Sequence, residues 1–194
     1  MTTMTEHPVP LASRAADAEY RPFPDREGRN TRQEWFEVPA MVFALELPAG
    51  GRILEVGCGR GVALPELHRM LAPTRLTGLD LDRSALADAR ARATRRDTPV
   101  ELVPGDVRDL PFPDAAFDLV VDFGTCYHIA RPGAAIREIA RVLAPGGIFV
   151  HETRINQFFS HPVRSRGRRL PEETLRRFHR RRSALLWTSR FVSS

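Results

Sequence analysis

The sequence predicts an α/β protein with a doubly wound, mostly parallel sheet and helices on both faces. Three observations predict it. Short apolar runs at 52–57 (RILEVG), 75–80 (RLTGLD), 100–103, 117–123 (FDLVVDF) and 148–151 read as buried strands. Between several of them lie stretches of about ten residues with apolar positions at helical spacing, at 62–71, 84–95 and 134–143. Turn chemistry separates the runs, beginning with Pro48-Ala-Gly-Gly51 before the first strand. Strands alternating with helices make βαβ units with right-handed crossovers, and ligands of such sheets bind at the carboxyl ends of the strands.

The elements follow in order. Residues 1–28 are polar, Pro-containing and aperiodic, and are expected to be mostly disordered, with a short helix near 14–19. Across 30–47, Trp35, Phe36, Met41, Val42, Leu45 and Leu47 fall loosely at helical spacing, with Pro39 interrupting. The helix at 62–71 carries Leu64, Leu67, Met70 and Leu71 on one face. Ser84 is the expected N-cap of the next helix. In the helix at 134–143, Ile136, Ile139, Ala140 and Leu143 should point inward, and Pro145-Gly-Gly147 should stop it. Beyond Glu152, residues 171–182 can form a helix and 184–192 (ALLWTSRFV) one strand.

A chain of 194 residues suits one domain. No run approaches the roughly 18 apolar residues of a membrane helix, and residues 1–20 lack the pattern of a secretory leader. Two cysteines, Cys58 and Cys126, make no disulfide framework, so a cytoplasmic location is expected. All 29 basic residues are Arg. Residues 156–194 hold ten of them against Glu172 and Glu173, a local +8, which leaves −3 for residues 1–155 of a chain whose net charge is +5. The basic tail reads first as a solvated face and second as a nucleic-acid or phosphate surface.

The chemistry gathers at the strand ends. The first strand ends in Glu55-Val-Gly57-Cys-Gly59-Arg-Gly61. Glycines at alternate positions let the backbone turn sharply and approach a ligand closely. The dinucleotide fingerprint would need Gly where Val62 stands, and no Gly-Lys-Ser/Thr occurs, so a pyrophosphate is not the expected ligand. Asp80 ends the second strand, nineteen positions after Gly61, where a carboxylate can accept from both hydroxyls of a ribose. Gly105-Asp106-Val107 ends the third, offering an acceptor for an exocyclic amine beside an apolar flank.

EVGCGRG (55–61), GLD (78–80), GDVRDLPFPDAAFDLVV (105–121) and RVLAPGGIFV (141–150) together resemble the class I S-adenosylmethionine-dependent methyltransferases, in particular the small-molecule branch. The resemblance covers about residues 50–153. It implies a Rossmann-like fold and S-adenosyl-L-methionine as cofactor, leaving S-adenosyl-L-homocysteine as product. It implies that Gly57, Gly59 and Gly61 pass under the methionine part, that Glu55 supports the loop, and that Cys58 fills a position where small residues are usual. Asp80 would hold the ribose, Leu81 would pack on adenine, Asp106 and Val107 would recognise its edge, and Phe123 would sit near the sulfonium. The domain then divides into a lid or N-terminal helix (29–50), a cofactor-binding core (51–155) and the basic tail (156–194). The family's sheet ends in an antiparallel hairpin, and only one tail strand is evident here, so the C-terminal edge looks shortened. An uncovered edge makes a homodimer or a weakly stable monomer the expectation.

The donor arrives activated, so the protein must chiefly align the acceptor and exclude water. His128, just past the fourth strand, is the candidate general base, with Tyr127 beside it to position the acceptor. Neither cysteine has an evident base partner. The histidines lack metal-ligand spacing, so no metal is expected. Methyl transfer to a small-molecule acceptor, at oxygen or nitrogen, is the leading function. The alternatives are an RNA or protein methyltransferase using the Arg-rich tail, and a cofactor-binding module without catalysis.

Overall fold

A computed structural model of the chain describes residues 30–31, 33–152 and 190–192. The expectations for residues 1–28, for a helix at 171–182 and for the basic tail lie outside the described residues. A π-helical turn, Gln33–Glu37, leads into α1, Val38–Ala44. Then follow β1 (Arg52–Val56), α2 (Leu64–Leu71), β2 (Arg75–Asp80), α3 (Arg83–Arg95), β3 (Glu101–Pro104), β4 (Phe117–Asp122), α4 (Pro132–Val142), β5 (Leu143–His151) and β6 (Arg190–Val192). The sheet order is β3-β2-β1-β4-β5-β6, with β1 to β5 parallel. β6 runs antiparallel to β5, pairing Val192 with Ile148, and lies within the predicted 184–192 strand.

Alternation along the strands sorts the core onto two faces. Ile53, Leu119, Val121, Ile148 and Val150 pack with α1 and α2 on one face. Leu54, Val56, Val120 and Phe149 pack with Ala135, Ile139 and Val142 of α4 on the other. The order changes direction at β1, whose neighbours β2 and β4 diverge, and that opens the crevice where such sheets bind ligands. The register aligns Leu79, Val56, Asp122 and His151 in one row across four strands at the carboxyl end.

Several local expectations are corrected. Asp82, not Ser84, caps α3: its carboxylate accepts from the Ser84 N–H at 2.8 Å and the Ser84 hydroxyl at 2.7 Å. A carboxylate two residues earlier captures the orphan donor that a Ser84 cap would have left. The Ser84 hydroxyl, then its N–H, hold Asp82 below the usual carboxylate range. Its contribution is therefore full above the unfolded value and is lost as pH falls through the lowered folded one. Asp82→Ala should cost about 1 kcal/mol and Ser84→Ala clearly less, compared by urea denaturation at neutral pH.

Helix α4 ends at Val142, and Pro145-Gly-Gly147 belongs to β5 as an irregularity where Phe117 pairs with Leu143 but Leu119 with Ile148. The inward stripe is Ala135, Ile139 and Val142; Ile136 and Ala140 are exposed. Helix α2 begins at Leu64 rather than 62. Pro39 does not end the helical run: it stands in the first turn of α1, directly after the π-helical turn. Trp35, in the segment expected to form the lid or N-terminal helix, is 67% exposed. No helix among the described residues is long and apolar enough to cross a membrane.

Candidate active site

The β1–α2 turn is held from two sides. The Cys58 N–H donates to the Leu79 carbonyl at 2.9 Å, and the Gly61 N–H to the Cys58 carbonyl at 2.8 Å. Gly57, Gly59 and Gly61 all have positive φ, at 64°, 50° and 68°. Their surroundings differ. A Cβ on Gly57 would stand 1.7 Å from Thr125 Oγ1, and one on Gly61 2.9 Å from the Ala89 Cβ. A Cβ on Gly59 would meet nothing within 4 Å. Gly57 and Gly61 therefore let the loop pack against protein, and Gly59 faces open space, the candidate cradle for a ligand.

Asp80 borders that cradle. Its Oδ2 accepts from the Gly59 N–H at 2.7 Å and its Oδ1 from the Asp82 N–H at 2.8 Å. Burial pushes its carboxyl above the usual range, against the pull of those N–H donors. Leu81 beside it is half-buried. Glu55 lies beneath the loop, 1% exposed.

Cys58 packs against Gly78, where a Cβ would approach its sulfur to 2.9 Å. Burial, then the fields of Glu55 and Asp80, push its thiol up, which suits packing and not nucleophilic attack.

Asp106 is buried and engaged by Arg108, whose Nη2 lies 2.8 Å from Oδ2 and whose backbone N–H donates to Oδ1 at 2.8 Å. Val107 joins the core on the α4 face. Phe123 packs against the other core. Arg60 is exposed and pairs with Asp88 at 3.2 Å. Glu55 and Asp80 near the strand ends, with Arg60 paired to Asp88 and Arg108 to Asp106, suit a cationic ligand better than a polyphosphate.

Past β4 the chain winds round one carboxylate. Asp122 Oδ1 accepts from the N–H groups of Gly124 and Thr125 at 3.0 and 2.6 Å. Its Oδ2 accepts from the Cys126 N–H at 3.1 Å and lies 2.8 Å from His151 Nδ1. Thr125 is thereby placed against Gly57. The rings of Tyr127 and His128 lie 4.3 Å apart, and His128 Nε2 is buried. Asp122 and His151 are the residues that motif reading missed. The available signal was topological: parallel neighbours put the last residues of FDLVVD and IFVH side by side. Asp122, Cys126 and His151 also bring ligand-capable atoms within 4.8 Å of one another.

The sequence and the fold have known counterparts. The family described as "Methyltransferase domain" matches residues 54–151. The chain is 41% identical over 102 residues to a fatty-acid O-methyltransferase of Mycolicibacterium smegmatis, covering 53% of this chain and 36% of that protein. It is 39% identical over 110 residues to a phthiotriol/phenolphthiotriol dimycocerosates methyltransferase of Mycobacterium tuberculosis, covering 55% and 39%. The chain thus spans well under half the length of these relatives. Its fold matches that of a SAM-dependent methyltransferase from Aquifex aeolicus with a TM-score of 0.60 at 21% identity, over 68% of this chain and 72% of that one.

Proposed function

Because the chain belongs to the methyltransferase-domain family of class I, S-adenosylmethionine-using proteins, we propose that it transfers a methyl group from that cofactor to an oxygen of a small, lipid-like acceptor. The observation that carries this is the open cradle at Gly59 beside Asp80. A sulfonium cofactor needs close backbone approach and a carboxylate for its ribose, and both stand there. When bound, it supplies a methyl group already activated on sulfur.

The chain's own residues then bind, orient and exclude water. We assign the methionine part to the loop at Gly57, Gly59 and Gly61 above Glu55. Asp80 takes the ribose, giving up or sharing its N–H partners. Leu81 packs on adenine, and Asp106 with Val107 recognises its edge, the carboxylate being shared with Arg108. Phe123 stands near the reacting centre. Tyr127 and His128 form a wall on the acceptor side. The lipid-like acceptor is inferred from the two mycobacterial relatives, which are named for a fatty acid and for phthiotriol lipids.

The test is transfer of an isotope-labelled methyl from S-adenosylmethionine to palmitic acid or to a hydroxylated fatty ester, read by mass spectrometry. Labelled lipid is the expected result. Cofactor binding without label in any acceptor would make the protein a binding module only. His128→Ala should lower kcat less than about tenfold and leave homocysteine-product affinity unchanged, as a wall residue and not a base would, since positioned bases are worth about a hundredfold or more. Steady-state kinetics beside calorimetry checks this.

A further inference from the structure

We propose that His151, held by Asp122, receives the acceptor's proton during methyl transfer, so that the acceptor atom is a hydroxyl oxygen. This rests on the methyl-transfer reading above. The pairing follows from the sheet: β4 and β5 are parallel neighbours and Asp122 is the register partner of His151. Asp122 is 1% exposed and accepts three backbone N–H bonds besides its contact with His151 Nδ1. A carboxylate only accepts, so Nδ1 carries a ring proton, and in the neutral ring Nε2 then presents a lone pair. The imidazole side chain is 19% exposed, stacked on Phe149 at 5.8 Å, with the Tyr127 ring 6.5 Å away. It is thus held in orientation, still reachable, and near Tyr127, assigned above to the acceptor side. The pair shares its row of the sheet with Val56, the residue before Gly57, so it lies one and two strands from the cofactor loop. His128, by contrast, has its Nε2 buried.

The step balances. The acceptor O–H proton passes to His151 Nε2 as the oxygen bonds the methyl carbon. The carbon–sulfur bond breaks with its electron pair left on sulfur. The imidazolium that forms faces the Asp122 carboxylate, which offsets its charge. A carboxylate acceptor has no proton to lose and would not need the pair.

A metal ion on Asp122, Cys126 and His151 is the competing use of this cluster. The four partners around Asp122 satisfy its oxygens without an ion.

Long-range 15N NMR of the full chain reads the ring directly, without turnover. His151 should be the Nδ1–H tautomer at neutral pH, and Asp122→Asn should mix the two tautomers. Methyl transfer is then compared for methyl 12-hydroxystearate, which offers a hydroxyl, and palmitate, which offers a carboxylate. His151→Gln should cut turnover of the first about a hundredfold and of the second less than about threefold, with S-adenosylhomocysteine affinity unchanged by calorimetry. An Nε2–H tautomer in the wild type, equal losses with both acceptors, or one equivalent of zinc in the purified protein would overturn the assignment. No binding of S-adenosylhomocysteine by wild type would instead remove the methyl-transfer reading, and the base role with it, even where the tautomer stood as expected.

Discussion

Gly57→Ala should lower cofactor affinity by more than about a hundredfold and destabilise the fold by about 2–3 kcal/mol. Two costs combine. The backbone at Gly57 has φ of 64°, and an alanine held there carries about 1–2 kcal/mol of strain. The new Cβ would also stand 1.7 Å from Thr125 Oγ1 and 2.7 Å from Thr125 Cβ, so one of the two loops must move. Either displacement shifts the cradle, because Thr125 is tied to the Asp122 carboxylate and to the Val56 carbonyl. Gly59→Ala separates the two effects. Its backbone strain is of the same kind, but no atom opposes its Cβ. It should cost about 1 kcal/mol of stability and still weaken cofactor binding, because the methyl group occupies the cradle. Denaturant melts beside binding isotherms for both variants check the contrast. Adding Thr125→Gly to Gly57→Ala should recover part of the lost stability, since the three nearest atoms in the clash all belong to Thr125. No recovery would place the cost in the backbone alone.

Phe117→Ala should lower stability by about 3–5 kcal/mol, lowering Tm by about 10 °C. Phe117 is fully buried at the amino end of β4, in the core between the sheet and α4. Its ring meets Phe112 edge to face at 4.9 Å. Truncation leaves a cavity lined by the strand irregularity at 143–147 on one side and by Phe112 on the other. The cofactor loop lies at the opposite end of the strands. Well below the lowered Tm, cofactor affinity should therefore change by less than about twofold. Calorimetric melts, with binding measured at 10 °C, check both halves.

The strand–helix alternation was legible because buried parallel strands are apolar throughout, and RILEV, RLTGLD and FDLVVD stand out against Arg-rich helices. The strand ends were legible for the same reason: Gly57, Gly59, Gly61 and Asp80 follow directly on those runs, and the structure joins Gly59 to Asp80 through a hydrogen bond. Other features depend on competition that a local pattern does not express. Asp82 wins the cap from Ser84 because the helix already begins at Arg83, which puts the Ser84 N–H in reach of the Asp82 carboxylate. Leu143 joins β5 because Phe117 pairs with it across the sheet, so the glycines after it bulge a strand and do not end a helix. Ile136 faces out because α4 meets the sheet along Ala135, Ile139 and Val142, a stripe rotated from the one its larger residues suggest. Asp122 and His151 are 29 positions apart, and only the β4–β5 register joins them. Arg108 is likewise visible as a partner of Asp106 only once the β3 end folds back on itself.

The central claim is that the β1 loop and Asp80 hold S-adenosylmethionine. Calorimetric titration of wild type and Asp80→Ala with S-adenosylmethionine and S-adenosylhomocysteine tests it most directly. Micromolar binding by wild type, weakened about tenfold or more in Asp80→Ala, is the predicted result, since losing a charge-assisted contact is worth about 1.4 kcal/mol or more. Wild-type affinity should also weaken on acidification at a pH above the usual aspartate range, because burial raises the Asp80 carboxyl and its protonated form loses acceptor capacity. No binding by wild type, or equal binding by wild type and Asp80→Ala, would contradict the account.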